Sequence, residues 1–248
     1  MIIQRLDWAG VLIETENNRI LIDPVYKSPE ASFFGKPKHV FSPLEELSSA
    51  NAILITHLHS DHFDPDFIIE RFGVDIPVFV ANGNEKGVRE KGLSNVKGMS
   101  VGEVYSFGEL SAAASYSVDG LGDNQVSWVV TDSVKTIIHC GDTLWHGYWW
   151  EMERKYGPFD AAFLPINGAA VNEPGIRHSK QPICLTPEQA VSAARVLNSK
   201  LLIPIHYRTF HHPPIYMETE NAEARLLSAA KQENIKVQLL QPKEILEI

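Results

Sequence analysis

The chain predicts a layered α/β fold, and three observations carry that expectation. Apolar runs of strand length recur along all 248 residues. Helical stretches with recognisable start signals lie among them. No repeat, low-complexity tract or Pro/Gly-rich linker divides the chain into separate parts.

Taken in order, residues 10–15 and 19–23 are extended and flank Glu16-Asn17-Asn18, a hairpin signal with turn-forming Asn. Asp23-Pro24 ends the hairpin. Residues 24–43, with four prolines and the pair Phe33-Phe34, read as a long irregular loop. The apolar run Asn51–Thr56 is a strand. Asp64 suits a helix N-cap, Pro65 the first helical position and Gly73 the stop. Further strands are predicted at 78–80, 104–106, 112–114, 126–130, 135–140 and 161–166. Thr186-Pro187-Glu188-Gln189 has capping-box spacing and opens a helix through Leu197. A buried strand at 201–205, a helix at 221–233 and a closing strand at 237–240 complete the series.

Bulk composition narrows the function. Hydrophobic content of 44% and charged content of 21% are ordinary for a globular protein. A formal charge of −9, with no Lys/Arg stretch, argues against a nucleic-acid partner. No apolar run approaches the ~20 residues of a membrane span, and the start lacks signal-peptide character. Cys140 and Cys184 form no disulfide framework and read as small core residues. A cytoplasmic protein is expected.

The densest chemistry is His57-Leu58-His59-Ser60-Asp61-His62, placed where the strand 51–56 ends. Loops draw on Gly, Asn or Ser for their geometry and have no use for three imidazoles. Imidazole nitrogen and carboxylate oxygen are ligands for zinc and similar metals. Alternate residues of an extended chain point the same way, so His57 and His59 can meet one ion. Asp61 and His62, past the next bend, can turn toward a second. Other apolar strands also end in polar residues: Gly141-Asp142-Thr143, Asn167-Gly168 and His206-Tyr207. In layered α/β folds, sites gather at strand C-terminal ends. If these ends share one edge, Asp142 and His206 converge on the histidine loop, with Asp142 able to bridge two cations.

With these motifs the chain resembles the metallo-β-lactamase-fold superfamily of metal-dependent hydrolases. The carriers are His57-x-His59-x-Asp61-His62, Gly141-Asp142-Thr143 and Ile203-Pro204-Ile205-His206-Tyr207. Leu21-Ile22-Asp23-Pro24, Leu164-Pro165-Ile166-Asn167-Gly168 and Thr186–Ala190 match in order as well. The nearest-looking branch holds ascorbate-phosphate lactonase and phospholipase D-like members. The resemblance implies a four-layer αββα sandwich, one domain over 1–248 whose two αβ halves meet near 120–126. It implies one ion on His57, His59 and Asp142, and another on Asp61, His62, Asp142 and His206. The family's further mid-chain histidine is missing: residues 112–123 contain none. Asp119 is the best local substitute and Asp123 the second.

One or two Zn²⁺ or Mn²⁺ ions are therefore expected. Such an ion lowers the pKa of a bound water from about 15.7 to about 7, and two ions ~3.5 to 4 Å apart can share the resulting hydroxide. The expected function is hydrolysis of a small ester, lactone or phosphodiester. Asp61 is a candidate for orienting the nucleophile, and Asn167 and His146 for oxyanion or leaving-group contacts. His146 is also readable as a surface histidine on a short helix. Trp145, Trp149 and Trp150 could wall the substrate, pack the loop, or support a homo-oligomer. His178 and His211-His212 could rim the pocket or simply face solvent. Two other classes stay open: a mononuclear iron oxygenase of sulfur compounds, and a non-catalytic metal-binding module on the same fold.

Overall fold

Strand and helix alternate through the chain, and the computed structural model describes them over residues 1–42, 47, 49–175 and 177–248. The predicted irregular loop 24–43 includes one position outside that set, 43. The order is β1 (Ile2–Arg5), β2 (Val11–Glu14), β3 (Arg19–Ile22), α1 (Ala31–Phe34), β4 (Ala52–Leu54), α2 (Pro65–Phe72), β5 (Val78–Ala81), α3 (Glu85–Glu90) and β6 (Val96–Met99). Then come β7 (Val104–Phe107), β8 (Leu110–Tyr116), β9 (Val126–Thr131), β10 (Thr136–His139), α4 (Trp149–Tyr156) and β11 (Ala161–Pro165). The chain closes with β12 (Ala170–Val171), α5 (Pro187–Val196), β13 (Leu202–Ile205), β14 (Tyr216–Met217), α6 (Ala222–Glu233) and β15 (Ile245–Glu247).

Two sheets result, ordered β15-β1-β2-β3-β4-β5-β6 and β13-β11-β10-β9-β8-β7, with β12-β14 as a small ribbon. Strand side chains alternate between faces, and both faces are apolar here. Ile20 and Ile22 join Ile137, Phe163, Ile203 and Ile205 in a core between the sheets. Leu21, Ile53, Val78 and Val80 point the other way, against Phe67 and Ile68 of α2 and Val88 of α3. On the second sheet, Ile138, Ala162 and Leu164 meet Trp149 and Met152 of α4, Ala190 and Ala194 of α5, and Leu226 of α6. That sequence of layers is the expected αββα sandwich.

Local signals act as read. Asp64 accepts the N–H of Phe67 at the start of α2, and Thr186 and Gln189 form both halves of the capping box on α5. The hairpin pairs Glu14 with Arg19. Elsewhere the structure differs. The chain leaves the first sheet after β6 and enters the second at β7, so the crossing falls at 100–103 and not at 120–126. The loop 24–43 contains the one-turn helix α1. Neither α3 nor β6 was anticipated, because each is short and interrupted by a glycine, Gly87 and Gly98.

The expected closing strand at 237–240 makes only a single bridge, Leu202 with Val237. Leu202 donates its N–H to Lys236, and the next outward-facing position of β13 is Pro204, which has no N–H to continue the ladder. The closing strand is instead β15, which pairs with β1.

Candidate metal centre

Parallel pairing decides where the polar strand ends go. β3 and β4 run parallel, as do β10, β11 and β13, so the residues after each strand in a set emerge on one edge. Asp23 and the histidine loop project from the first sheet; Asp142, Asn167 and His206 project from the second. The two edges meet. His57 Nε2 lies 3.5 Å from Asp142 Oδ1, and His206 Nε2 lies 3.2 Å from Asp61 Oδ2 and 3.9 Å from Asp142 Oδ2.

Among the described residues, three overlapping groups could hold a metal ion: His57, His59, Asp119 and Asp142; His57, Asp61 and His62; and His62, Asp142 and His206. Within each, the donor atoms lie within 4.8 Å of one another. Asp142 belongs to two of them. Asp119 joins the first, with Oδ2 3.8 Å from His59 Nδ1, while its Oδ1 accepts the N–H groups of Leu121 and Asp123. Asp123 stands on the far side of the same ring, 2.8 Å from His59 Nε2. The first substitute thus sits within a candidate ligand group, and the second lies against the outer nitrogen of His59.

Each histidine of the loop has its outer nitrogen engaged, the arrangement that turns the inner one toward the centre, where His57 Nε2 and His59 Nδ1 lie 2.8 Å apart. Asp23 is the hub. Its Oδ2 is 2.7 Å from His62 Nδ1 and accepts the Thr56 hydroxyl at 2.6 Å; its Oδ1 accepts the Thr56 N–H at 2.8 Å. Thr56 Oγ1 in turn lies 3.1 Å from His57 Nδ1. This leaves His57 Nε2, His59 Nδ1 and His62 Nε2 facing inward. His62 Nε2, Asp61 Oδ1 and Asp142 Oδ1 are all buried without a hydrogen-bond partner among the described residues. Lone pairs and carboxylate oxygens left so, at the meeting of two sheets, fit a divalent cation.

Electrostatics agrees. Burial holds His57 well below the ordinary imidazole range and His206 at about 4, so both are neutral lone-pair donors. Burial pushes the Asp142 carboxyl up to about 7, reinforced by Asp119 and Asp61 against the counteracting His62. Three carboxylates crowded in a low-dielectric pocket need positive charge. At His62 burial favours the neutral ring, but Asp61 and Asp23 outweigh it and raise the group to about 9, so this ring takes up a proton unless a cation supplies the charge in its place.

The remaining predicted site residues lie outside these groups. Asn167 is buried at the end of β11, but its Nδ2 donates to the Tyr216 hydroxyl at 2.6 Å and its Oδ1 accepts from the Cys184 thiol. Its amide is committed to packing polar groups, not free for a substrate oxygen. His146 belongs to none of the three groups; its ring stacks on Trp149 at 4.2 Å and its Nδ1 accepts the Tyr148 N–H. Trp149 is fully buried in the core under α4, whereas Trp145 and Trp150 are exposed by 37% and 52%. His211 is exposed, His212 Nδ1 meets the Phe33 carbonyl, and His178 is half-buried in its loop. Asp23, Thr56 and Trp8 went unread as functional residues. Asp23 and Thr56 follow apolar strands, so the rule that found Asp142 would have found them; Trp8 carries no such signal.

Fold and cluster together define a metal-dependent hydrolase. Residues 18–207 match the family model described as a beta-lactamase superfamily domain, and the chain belongs to the metallo-β-lactamase superfamily. It is 31% identical to a UPF0173 metal-dependent hydrolase of Thermococcus kodakarensis, over 98% of this chain and 97% of that protein. It is 32% identical to another from Thermococcus onnurineus, over 94% and 93%. Among solved structures, the metallo hydrolase Igni18 of Ignicoccus hospitalis shares the fold at a TM-score of 0.74 and 20% identity, covering 100% of this chain and 98% of that one. A possible metal-dependent hydrolase of Veillonella parvula does so at 0.78 and 18% identity, covering 100% and 99%. No helix among the described residues is long and apolar enough to cross a membrane.

Proposed function

We propose that the chain hydrolyses a small ester, lactone or phosphodiester at a two-ion centre. The observation that carries this reading is Asp142, which belongs at once to the His57–His59–Asp119 group and to the His62–His206 group. His57, His59, Asp119 and Asp142 would hold one ion, and Asp61, His62, His206 and Asp142 the other. Bound divalent ions supply Lewis acidity toward the substrate oxygen and a lowered pKa for water. The protein's own part is positional. Asp23 and Asp123 hold the ring tautomers, the buried walls exclude bulk water, and Asp61 Oδ1, buried without a partner among the described residues, is the candidate acceptor for orienting the nucleophile. Asn167, engaged by Cys184 and Tyr216, is assigned no step, whereas His146, whose Nε2 is buried without a partner among the described residues, stays a candidate for a leaving-group contact.

Each set is two imidazoles and two carboxylates. That donor balance is harder than a three-histidine set and favours Mn²⁺ or Fe²⁺ alongside Zn²⁺. It also supports a second reading, an iron-dependent oxygenase on the same scaffold. Two buried free thiols, Cys140 and Cys184, suit a reducing cytoplasm. A small-molecule substrate is the expected partner.

Elemental analysis of the native protein, followed by an ester, lactone and phosphodiester panel with the matching metal, tests the proposal. His59→Ala is expected to cut turnover by at least a hundredfold while the far-UV spectrum is kept. Bound metal with no hydrolysis across the panel would count against hydrolysis, and oxygen uptake with a persulfide would move the reading to the oxygenase.

A further inference from the structure

Trp8 stands outside every metal group yet touches two of their members from the N-terminal turn. Its indole N–H donates to Asp61 Oδ2 at 2.9 Å. Its ring lies 4.0 Å from the His206 ring at a tilt of 40°, and its carbonyl accepts the His206 N–H at 3.2 Å. Phe210 braces the indole edge-on at 4.9 Å, and only 2% of the residue is exposed. One side chain thus fixes two residues that are 145 positions apart in the chain.

The turn that presents it is built for this. Trp8 has a left-handed backbone, with φ of 55°, which a large side chain adopts only under constraint. The constraint is Arg5, buried beneath the turn, whose guanidinium donates to the carbonyls of Leu6, Trp8 and Gly10. At Gly10 a Cβ would come within 2.9 Å of the Leu6 Cβ and 3.1 Å of the Asp23 carbonyl, so the turn closes only on glycine.

We propose that Trp8 is a positioning residue for the ion held by Asp61, His62 and His206, with Arg5 clamping the turn that carries it. The indole donates to the same Asp61 Oδ2 that lies 3.2 Å from His206 Nε2 and 3.6 Å from His62 Nε2, so it fixes the orientation of the carboxylate toward that pair. Ring and carbonyl together set the pose of His206. No hydrogen bond or ring contact of Trp8 among the described residues reaches His57, His59 or Asp119, so its effect is confined to one half of the centre. The inference rests on the two-ion reading above.

Titration of metal-free protein with Mn²⁺, followed by calorimetry and by electron paramagnetic resonance, tests it. Trp8→Phe keeps a ring against His206 and deletes the donor to Asp61. The expected result is selective: one ion binds as in the wild type, and the other binds tenfold to a hundredfold more weakly, the range found when outer-shell partners are removed. Arg5→Lys, which keeps the charge but loses the fork of donors, is expected to weaken the same ion and serves if Trp8→Phe folds poorly. Wild-type affinity at both sites in both variants, or equal weakening at both sites, would overturn the proposal. A wild type that binds a single ion tests the same contact, and an unchanged Kd in both variants again overturns it. Wild-type protein that takes up no manganese sinks the two-ion reading itself, which separates that failure from failure of Trp8 alone.

Discussion

Asp23 shows how much one carboxylate can organise. It receives the Thr56 N–H and hydroxyl and meets His62 Nδ1, and through Thr56 it reaches His57. An Asp accepts at both oxygens, whereas an Asn turns one of those positions into a donor. Asp23→Asn is therefore expected to disturb the tautomers of His57 and His62 together. Metal affinity should fall tenfold to a hundredfold, with both ions affected because the two rings serve different groups. Calorimetric titration with manganese checks this. Unchanged affinity would show that the rings are held by other means.

At the scale of the element, the loop between β8 and β9 sets the position of one candidate ligand. It delivers Asp119 to the ligand group, and its path is set by Gly120. A Cβ there would fall 2.0 Å from the Ile183 carbonyl oxygen, a backbone atom that cannot swing aside. Gly120→Ala must push the loop off the segment around Ile183 and carry Asp119 with it. The expected outcome is a loss of about 1–3 kcal/mol in stability, typical of overpacking, with selective weakening of the ion on His57 and His59. Thermal melts and metal stoichiometry measure the two effects separately. Retention of both ions at wild-type affinity would mean that Asp119 is not needed as a ligand.

Across the whole molecule, the two sheets are tied near the site by His139, a buried histidine at the end of β10. Its Nε2 lies 2.7 Å from the Ala9 carbonyl, and its Nδ1 accepts the Gly141 N–H. Burial lowers its pKa to about 4. The unfolded chain binds a proton on this ring below about 6.5, whereas the folded protein resists doing so. Its contribution is therefore complete above about pH 6.5 and is lost as the pH falls toward 4, to a total of about 3 kcal/mol. His139→Gln is expected to flatten the acid limb of the stability profile by up to one proton. Denaturant melts between pH 7 and 4 supply the comparison; parallel profiles would assign the acid sensitivity to other groups.

Much of this was legible in the residues. The helix caps at Asp64 and Thr186 and the hairpin around Asn17-Asn18 are local, decided within four or five positions by backbone donors and side-chain acceptors. The histidine loop was equally legible as a candidate ligand set, because three imidazoles in six positions are donors for a metal and not loop-forming residues. Short elements escaped: α3 and β6 have too few apolar positions to show a period. At 237–240 the composition was right for a strand, but the partner edge offered Pro204 where a donor was required.

Residue types and their order thus determined the layered fold, the capped helices and the chemistry of the ligand-bearing strand ends. Tertiary structure decided which of those polar residues meet. It brought Asp119 into a candidate ligand group and left Asp123 behind His59, closed Asn167 onto Cys184 and Tyr216, and turned His146 onto Trp149. It also set Trp8 against Asp61 and His206. The reason is physical: caps and turns are settled by neighbours along the chain, whereas a metal centre is a set of distances between groups far apart in sequence. Those distances exist only once parallel strands bring their ends to a common edge and the two sheets close on one another.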